Sequence, residues 1–234
     1  MAHLVIGYPS LEESRQVAEL YANRGMEILE LQIPFSHPTA DGQVLTDANR
    51  KAVQAGATLE KSLDFLADVR QKHPDQVIMA MTYANKVFAF GMEKFCDELQ
   101  ARQIKYLIIP DMPFDSVLAK PIHAHPYVQI VPVLSANTSE ARLKIALANH
   151  PDYIYIMADY KITGQGFSIH PKIQALVQQI KAQSNAKVGL GFGISEKQQV
   201  EAVLEIADFA IIGSALTRAM NEGRLEAQVD AFID

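Results

Sequence analysis

Short apolar runs rich in Val, Ile and Leu recur along the whole chain, and each is followed by a turn and a segment with helical spacing. The runs are continuous rather than alternating, as at residues 106–109 (Tyr-Leu-Ile-Ile), which is typical of parallel strands covered on both faces. The pattern predicts eight strands, at residues 3–6, 26–33, 76–82, 104–110, 127–134, 153–158, 186–192 and 208–212.

Apolar residues with helical spacing fill the gaps between these strands, for example Leu59, Leu63, Leu66 and Val69. Eight strands alternating with helices in 234 residues fit a closed (β/α)₈ barrel. An open doubly wound sheet is the alternative, but it usually has fewer strands at this length. No linker rich in Pro, Gly or Ser divides the chain, so we expect one barrel domain over residues 1–234.

The composition excludes two classes of function. The chain has 27 acidic and 21 basic residues, a formal charge of −6, which excludes a nucleic-acid binder that works by bulk charge. No apolar run approaches the roughly 20 residues needed to cross a membrane.

The single Cys96 allows no internal disulfide and the sequence opens without a secretion signal, so we expect a cytoplasmic protein. His123 and His125 have no other metal ligands nearby in the sequence, and no metal site is expected.

The second crossover carries the candidate catalytic residues. Predicted strands two and three lie about 50 residues apart, and such extra chain is usually functional. Glu30 interrupts an apolar strand, and Asp41 lies in the loop that follows it. The simpler interpretations are a salt-bridged rim carboxylate for Glu30 and a plain Asp-Gly turn for Asp41. The functional one is a pair of carboxylates in unlike environments, with Glu30 exchanging protons in apolar surroundings and Asp41 remaining ionised.

Glycines at two later strand ends predict a phosphate site. Gly193 follows strand seven and Gly213-Ser214 follows strand eight, where barrels of this kind bind phosphate through backbone N–H groups and a helix N-terminus. Residues 159–166, after strand six, form either a mobile lid or a plain surface loop. Several apolar or aromatic residues near strand ends either line a pocket or are simply core, namely Met81, Ile108, Tyr155, Phe192 and Ile211.

Six sequence blocks together resemble the α subunit of tryptophan synthase. They are residues 29–42 (Leu-Glu-Leu-Gln-Ile-Pro-Phe-Ser-His-Pro-Thr-Ala-Asp-Gly), 83–88, 110–113, 163–164, 191–195 and 213–215. The resemblance runs in order from about Gly7 to the last helix. It implies a phosphate-binding (β/α)₈ TIM barrel that cleaves indole-3-glycerol phosphate to indole and glyceraldehyde 3-phosphate.

The resemblance also assigns roles to individual residues. Glu30 would be the acid/base that protonates indole C3 and helps to deprotonate the glycerol hydroxyl. Asp41 would accept the indole N–H and stabilise the cationic tautomer. The remaining residues would bind substrate: Tyr155 and Thr163 beside it and in the lid, Met81, Ile108, Phe192 and Ile211 around the indole ring, and Gly164, Gly193, Gly213 and Ser214 at the phosphate. No metal or cofactor is implied for this chain, because pyridoxal phosphate would belong to the β subunit.

The sequence departs from the family pattern at several positions. The usual Gly-Asp-Pro is Gly7-Tyr8-Pro9, the glycine after Leu-Glu-Leu is Gln32, and the aspartate of Pro-Phe-Ser-Asp-Pro is His37. The lid, usually Arg-Ser-Gly-Val-Thr-Gly, reads Asp-Tyr-Lys-Ile-Thr-Gly at residues 159–164. The helix that usually precedes strand one is also expected to be lacking.

These departures leave three hypotheses. The first is an active lyase in a heterotetramer with the β subunit, in which His37 and the altered lid weaken the coupling, or one that releases free indole. The second is a non-catalytic subunit that binds a phosphate ligand and modulates a partner. The third is a different phosphate-sugar lyase or isomerase on the same scaffold. Retention of both Glu30 and Asp41 favours the first.

Overall fold

Parallel strands form a closed ring in the computed structural model. The structure describes residues 1–157, 160–163, 166–191 and 193–233, with the backbone alone at 160–163 and 166–168. The strands are β1 (Ala2–Val5), β2 (Ile28–Gln32), β3 (Val77–Met81), β4 (Tyr106–Ile108), β5 (Gln129–Ile130), β6 (Val133–Ser135), β7 (Tyr153–Met157), β8 (Tyr160–Thr163), β9 (Gly166–Ile169), β10 (Lys187–Gly191) and β11 (Phe209–Ile211). The helices are α1 (Leu11–Asn23), α2 (Gln43–Gln54), α3 (Leu59–Lys72), α4 (Ala84–Phe90), α5 (Met92–Ala101), α6 (Lys120–His123), α7 (Glu140–Ala148), α8 (Pro171–Gln183), α9 (Lys197–Leu204), α10 (Ser214–Asn221) and α11 (Leu225–Ile233).

Two parallel sheets, β1-β2-β3-β4-β5 and β6-β7-β10-β11, join at both edges. At one seam β5 and β6 are two parts of one strand, interrupted where Pro132 lacks an N–H, and the carbonyl of Pro132 accepts from Tyr155 N at 3.0 Å. At the other seam His3 N donates to Ile212 O at 3.0 Å. The predicted (β/α)₈ barrel and all eight predicted strand positions are therefore confirmed.

Two glycines leave room for the large side chains that fill the barrel. A Cβ on Gly189 would lie 2.1 Å from the ring of Phe209, and one on Gly191 would lie 2.7 Å from Ile211 Cβ and 3.1 Å from the Tyr155 hydroxyl. The interior cluster also contains Ile28, Met79, Met81, Ile108 and Tyr153. A second, larger cluster lies between the strands and the surrounding helices. The interior is thus packed below the carboxyl ends of the strands.

The long second crossover contains a helix of its own, α2. Its buried face consists of Ala48, Asn49 and Ala52, and small residues let it pack closely beside Val5 and Tyr8. This places the amide of Asn49 beside the ends of β1 and β2, so the extra chain contributes directly to the site.

The segment after β7, predicted as a lid or a plain surface loop, contains two short strands. Its backbone forms a hairpin in which β8 and β9 pair antiparallel, with Tyr160 opposite Ile169 and Thr163 opposite Gly166. Each strand has only four residues, with apolar and polar residues alternating, and so short a pattern was not recognised as a strand in the sequence. None of the helices in the described part of the chain is both long and apolar enough to span a membrane.

Candidate active site

A cavity of about 400 Å³ opens at the carboxyl ends of the barrel strands. Nine of the predicted site residues line it: Glu30, Asp41, Met81, Ile108, Tyr155, Gly193, Ile211, Gly213 and Ser214. The predictions at Gly164 and Phe192, and at the side chain of Thr163, lie outside the described residues. The barrel therefore brings together residues that are far apart in the sequence.

Glu30 is paired with a buried histidine. The parallel register sets His3 beside Glu30 on neighbouring strands, and His3 Nδ1 lies 3.0 Å from Glu30 Oε2. Both residues are 4% exposed. Burial alone would lower the pKa of His3, but the charge of Glu30 and its hydrogen bond raise it above the ordinary value of 6.5. The surroundings of Glu30 thus differ from the expected apolar ones, because its direct partner is an imidazole.

Asp41 is held by neutral amides. Its Oδ2 accepts from Gln32 Nε2 at 2.8 Å and from Asn49 Nδ2 at 3.2 Å, and it also shares a hydrogen bond with the hydroxyl of Tyr83. Burial raises the pKa of Asp41 above its ordinary value of 3.8, and the charge of His3 and the hydrogen bonds with Gln32 and Tyr83 oppose the rise. The two carboxylates therefore have different environments, Glu30 beside an imidazole and Asp41 beside neutral hydrogen-bond donors.

Tyr83 fixes the loop that carries Asp41. Its ring stacks on Phe35 with the centroids 5.4 Å apart, and its hydroxyl accepts from the backbone N–H of Ala40 at 3.2 Å. Tyr83 is fully buried at the end of β3, so this contact ties the loop to the barrel wall.

The other side of the cavity combines an apolar wall with a glycine cradle. Met81, Ile108 and Ile211 end their strands with buried side chains. Gly193 has a φ of +78°, which L-residues rarely adopt, and Gly213 caps the N-terminus of α10. The first N–H groups of a helix have no partner within it, so α10 offers donors to an anion here.

The residues at or beside the cavity that were not predicted as site residues include His3, Gln32, Asn49, Tyr83 and Arg218. His3 and Gln32 are polar positions in apolar strands, the same signal that identified Glu30. Asn49 and Arg218 lie on helices, where polar residues are ordinary and carry no such signal. Within the described ranges, no group of three or more His, Cys, Asp or Glu side chains is placed to hold a metal ion.

The model of the family described as "Tryptophan synthase alpha chain" matches residues 1–232. The chain belongs to this family. The tryptophan synthase alpha chain of Syntrophotalea carbinolica is 34% identical over 236 residues, covering 100% of this chain and 92% of the relative. Tryptophan synthase subunit alpha from Campylobacter jejuni superposes with a TM-score of 0.85 at 26% identity, covering 99% of this chain and 94% of that one.

A structure of the tryptophan synthase α₂β₂ complex from the hyperthermophile Pyrococcus furiosus is also similar, with a TM-score of 0.86, 25% identity, and coverage of 99% and 96%. The resemblance drawn from the six sequence blocks is therefore confirmed. The chain is therefore a lyase of tryptophan biosynthesis, and pyridoxal phosphate belongs to the β subunit of tryptophan synthase. Nothing in these comparisons favours the non-catalytic alternative.

Proposed function

We propose that Glu30 and Asp41 carry out the α reaction in this chain, the cleavage of indole-3-glycerol phosphate to indole and glyceraldehyde 3-phosphate. The observation that supports this most is that both carboxylates line one cavity, together with an apolar wall and a glycine cradle. The three features match the three parts of the substrate, which are the reacting carbons with the ring nitrogen, the indole ring and the phosphate.

The cleavage requires that indole C3 gains a proton and that the glycerol hydroxyl loses one. Glu30 donates a proton to indole C3, and the ring nitrogen becomes cationic. The bond between C3 and the glycerol carbon then breaks, its electron pair returns to the ring, and the hydroxyl on that carbon becomes a carbonyl. The hydroxyl proton passes to Glu30, so no net proton is consumed.

Asp41 supports the cationic intermediate in this proposal. It accepts the indole N–H and places a negative charge where positive charge develops, inside a partly buried site where that interaction is strong. Gln32 and Asn49 hold its Oδ2 and preorganise the carboxylate before substrate binds.

Binding of the substrate uses the other walls. Met81, Ile108 and Ile211 contact the indole ring beside Tyr155, and the backbone N–H groups near Gly193, Gly213 and Ser214 hold the phosphate. Thr163, Gly164 and Phe192 keep their proposed roles from the family resemblance.

We further infer that residues 1–234 act as one barrel domain, because the ring is hydrogen-bonded at both seams.

The proposal is tested by measuring indole release from indole-3-glycerol phosphate by the wild-type chain, with and without a tryptophan synthase β subunit. We expect release in both conditions. We also expect the β subunit, which we propose as the partner by analogy with the P. furiosus complex, to stimulate the chain only weakly. The reason is that His37 replaces the family's aspartate in the loop expected to face that partner. A wild-type chain inactive in both conditions would disprove the proposal, and strong stimulation in a tight complex would disprove the weakened coupling.

Arg218 is expected to strengthen phosphate binding. It lies one helical turn after Ser214 on α10, lines the same cavity, and carries a charge opposite to that of the phosphate. Arg218→Ala should raise KM for the substrate about tenfold with little change in kcat. Arg218→Lys should retain most of the affinity, and Arg224→Ala, outside the cavity lining, should leave KM unchanged. An unaltered KM in Arg218→Ala would show that the arginine does not bind the phosphate.

A further inference from the structure

A continuous chain of hydrogen bonds connects the two carboxylates of the cavity. It runs from Glu30 to His3, from His3 Nε2 to Gln32 Oε1 at 3.0 Å, and from Gln32 Nε2 to Asp41 at 2.8 Å. His3 is 4% exposed, and Gln32 is fully buried. His3 has no role in the reaction described above, although it directly contacts the proposed acid/base.

The orientation of the Gln32 amide in this chain follows from the groups that surround it. Phe35 N donates to Asn49 Oδ1 at 3.0 Å, so Asn49 must turn its NH₂ group toward Gln32, where Nδ2 lies 3.2 Å from Oε1. The carboxylate of Asp41 accepts from Gln32 Nε2, which gives Gln32 the same orientation. Two independent contacts therefore direct the Gln32 oxygen toward His3.

This orientation fixes the tautomer of His3. Because Gln32 Oε1 only accepts, His3 Nε2 must carry a hydrogen. The bond between Nδ1 and Glu30 Oε2, 3.0 Å long, then holds a single proton. Either the imidazolium donates it to the carboxylate, or the carboxyl group donates it to neutral Nδ1. A pair without this proton would set the Nδ1 lone pair against a carboxylate, which is unfavourable in a buried site.

We propose that His3 is a positioning residue for the cleavage: its bond to Glu30 keeps one proton on the His3–Glu30 pair and orients the carboxyl group that delivers this proton to the substrate. The inference rests on the proposed function of Glu30. When Glu30 gives the proton to C3, the pair is left in its unfavourable unprotonated form, which makes it a stronger base for the hydroxyl proton. Transfer of that proton restores the pair, so protons and electrons balance over one turnover.

The charged and titratable groups around the pair are few in the described part of the chain. Glu30 on β2 and Asp41 in the following loop both act on His3, and Gln32 is its neutral partner. Arg218 on α10 lines the same cavity. The amino group of Met1, whose pKa burial lowers to about 6, is acted on by Glu30 as well. All of these groups remain when His3 alone is replaced, so a change in pH dependence reports on His3.

The pH profile of kcat tests this proposal in His3→Gln and His3→Phe. Since Glu30 raises the pKa of His3, the wild-type pair retains its proton to higher pH than an unassisted carboxyl group does. We expect the alkaline limb of both variants to move down by at least about one pH unit, with a loss of at least ~10-fold at pH 8 and a much smaller loss at pH 6. The control His123→Phe replaces a half-buried histidine outside the cavity and should leave the profile unchanged.

A loss of activity that is equal at all pH values would indicate a merely structural role and overturn the proposal, as would variant profiles that coincide with the wild type. The two substitutions guard against misfolding, because glutamine preserves polarity and phenylalanine preserves ring size. If the wild type releases no indole, the proposed function fails instead, and a second measurement still tests His3.

That second measurement is independent of activity. Imidazole ¹⁵N shifts of wild-type protein, with His3 assigned by its absence in His3→Gln, report tautomer and titration directly. We expect a proton on Nε2, a midpoint above 6.5, and a lower midpoint in Glu30→Gln. A proton on Nδ1 alone, or a midpoint that Glu30→Gln does not lower, would overturn the proposal whatever the enzyme activity.

Discussion

Glu30→Gln is expected to lower kcat for indole release at least ~100-fold, the low end for loss of an essential acid/base group. Glutamine has nearly the same shape and still accepts or donates a hydrogen bond to His3, but it does not release a proton to C3 or accept one from the hydroxyl. The loss corresponds to about 2.7 kcal/mol of transition-state stabilisation. KM should change little, because the ring and phosphate contacts remain.

A matched control for this variant is Glu27→Gln. Glu27 is exposed and lies just before the same strand, at the opposite end of the barrel, so the identical chemical change there should leave kcat as in the wild type. Steady-state assays of both variants, with circular dichroism to verify folding, make the comparison. Unchanged activity in Glu30→Gln would remove the proposed role of Glu30 without affecting the family assignment.

Asp41→Asn is expected to lower kcat by a similar factor, at least ~100-fold, for a different reason. The substitution removes the negative charge that stabilises the cationic indole, while the loop stays anchored by the stacking of Phe35 on Tyr83. The pH dependence that the His3–Glu30 pair imposes should persist with only a small shift, because Asp41 makes a smaller contribution to the pKa of His3 than Glu30 does.

Asp47→Asn provides the control for that substitution. Asp47 lies in α2 and pairs with Arg50 at 2.8 Å, outside the cavity lining. It should retain wild-type turnover. Should Asp41→Asn keep more than half of the wild-type kcat, the role of Asp41 as the partner of the indole nitrogen would be wrong, and a turn-forming role for the Asp-Gly pair would remain.

Several parts of the site were predictable because their signals are local. Glu30 stands out as an acid inside an apolar strand, and the glycines after β10 and β11 stand out at strand ends. Each of these features needs only a few neighbouring residues to be recognised. The structure places all of them on one cavity, as strand ends on one face of a barrel require.

Other parts had no local signal. The strands β8 and β9 are only four residues long and are recognised by their pairing with each other. Asn49 reaches the site only because α2 folds against the ends of β1 and β2. Arg218 is one of many polar residues on helices, and only its position in the assembled barrel distinguishes it.

The sequence by itself determined the order of the barrel strands and the identity of the carboxylates, because continuous apolar runs and isolated charges are local properties. The tertiary structure alone decided which groups those carboxylates contact. The pairing of His3 with Glu30 spans 27 positions in the sequence and depends on the parallel register of β1 against β2, since a shift by one residue would turn every side chain to the other face. The environment of Glu30 is therefore set by the closed ring, in which a residue of the first strand becomes its proton-sharing partner.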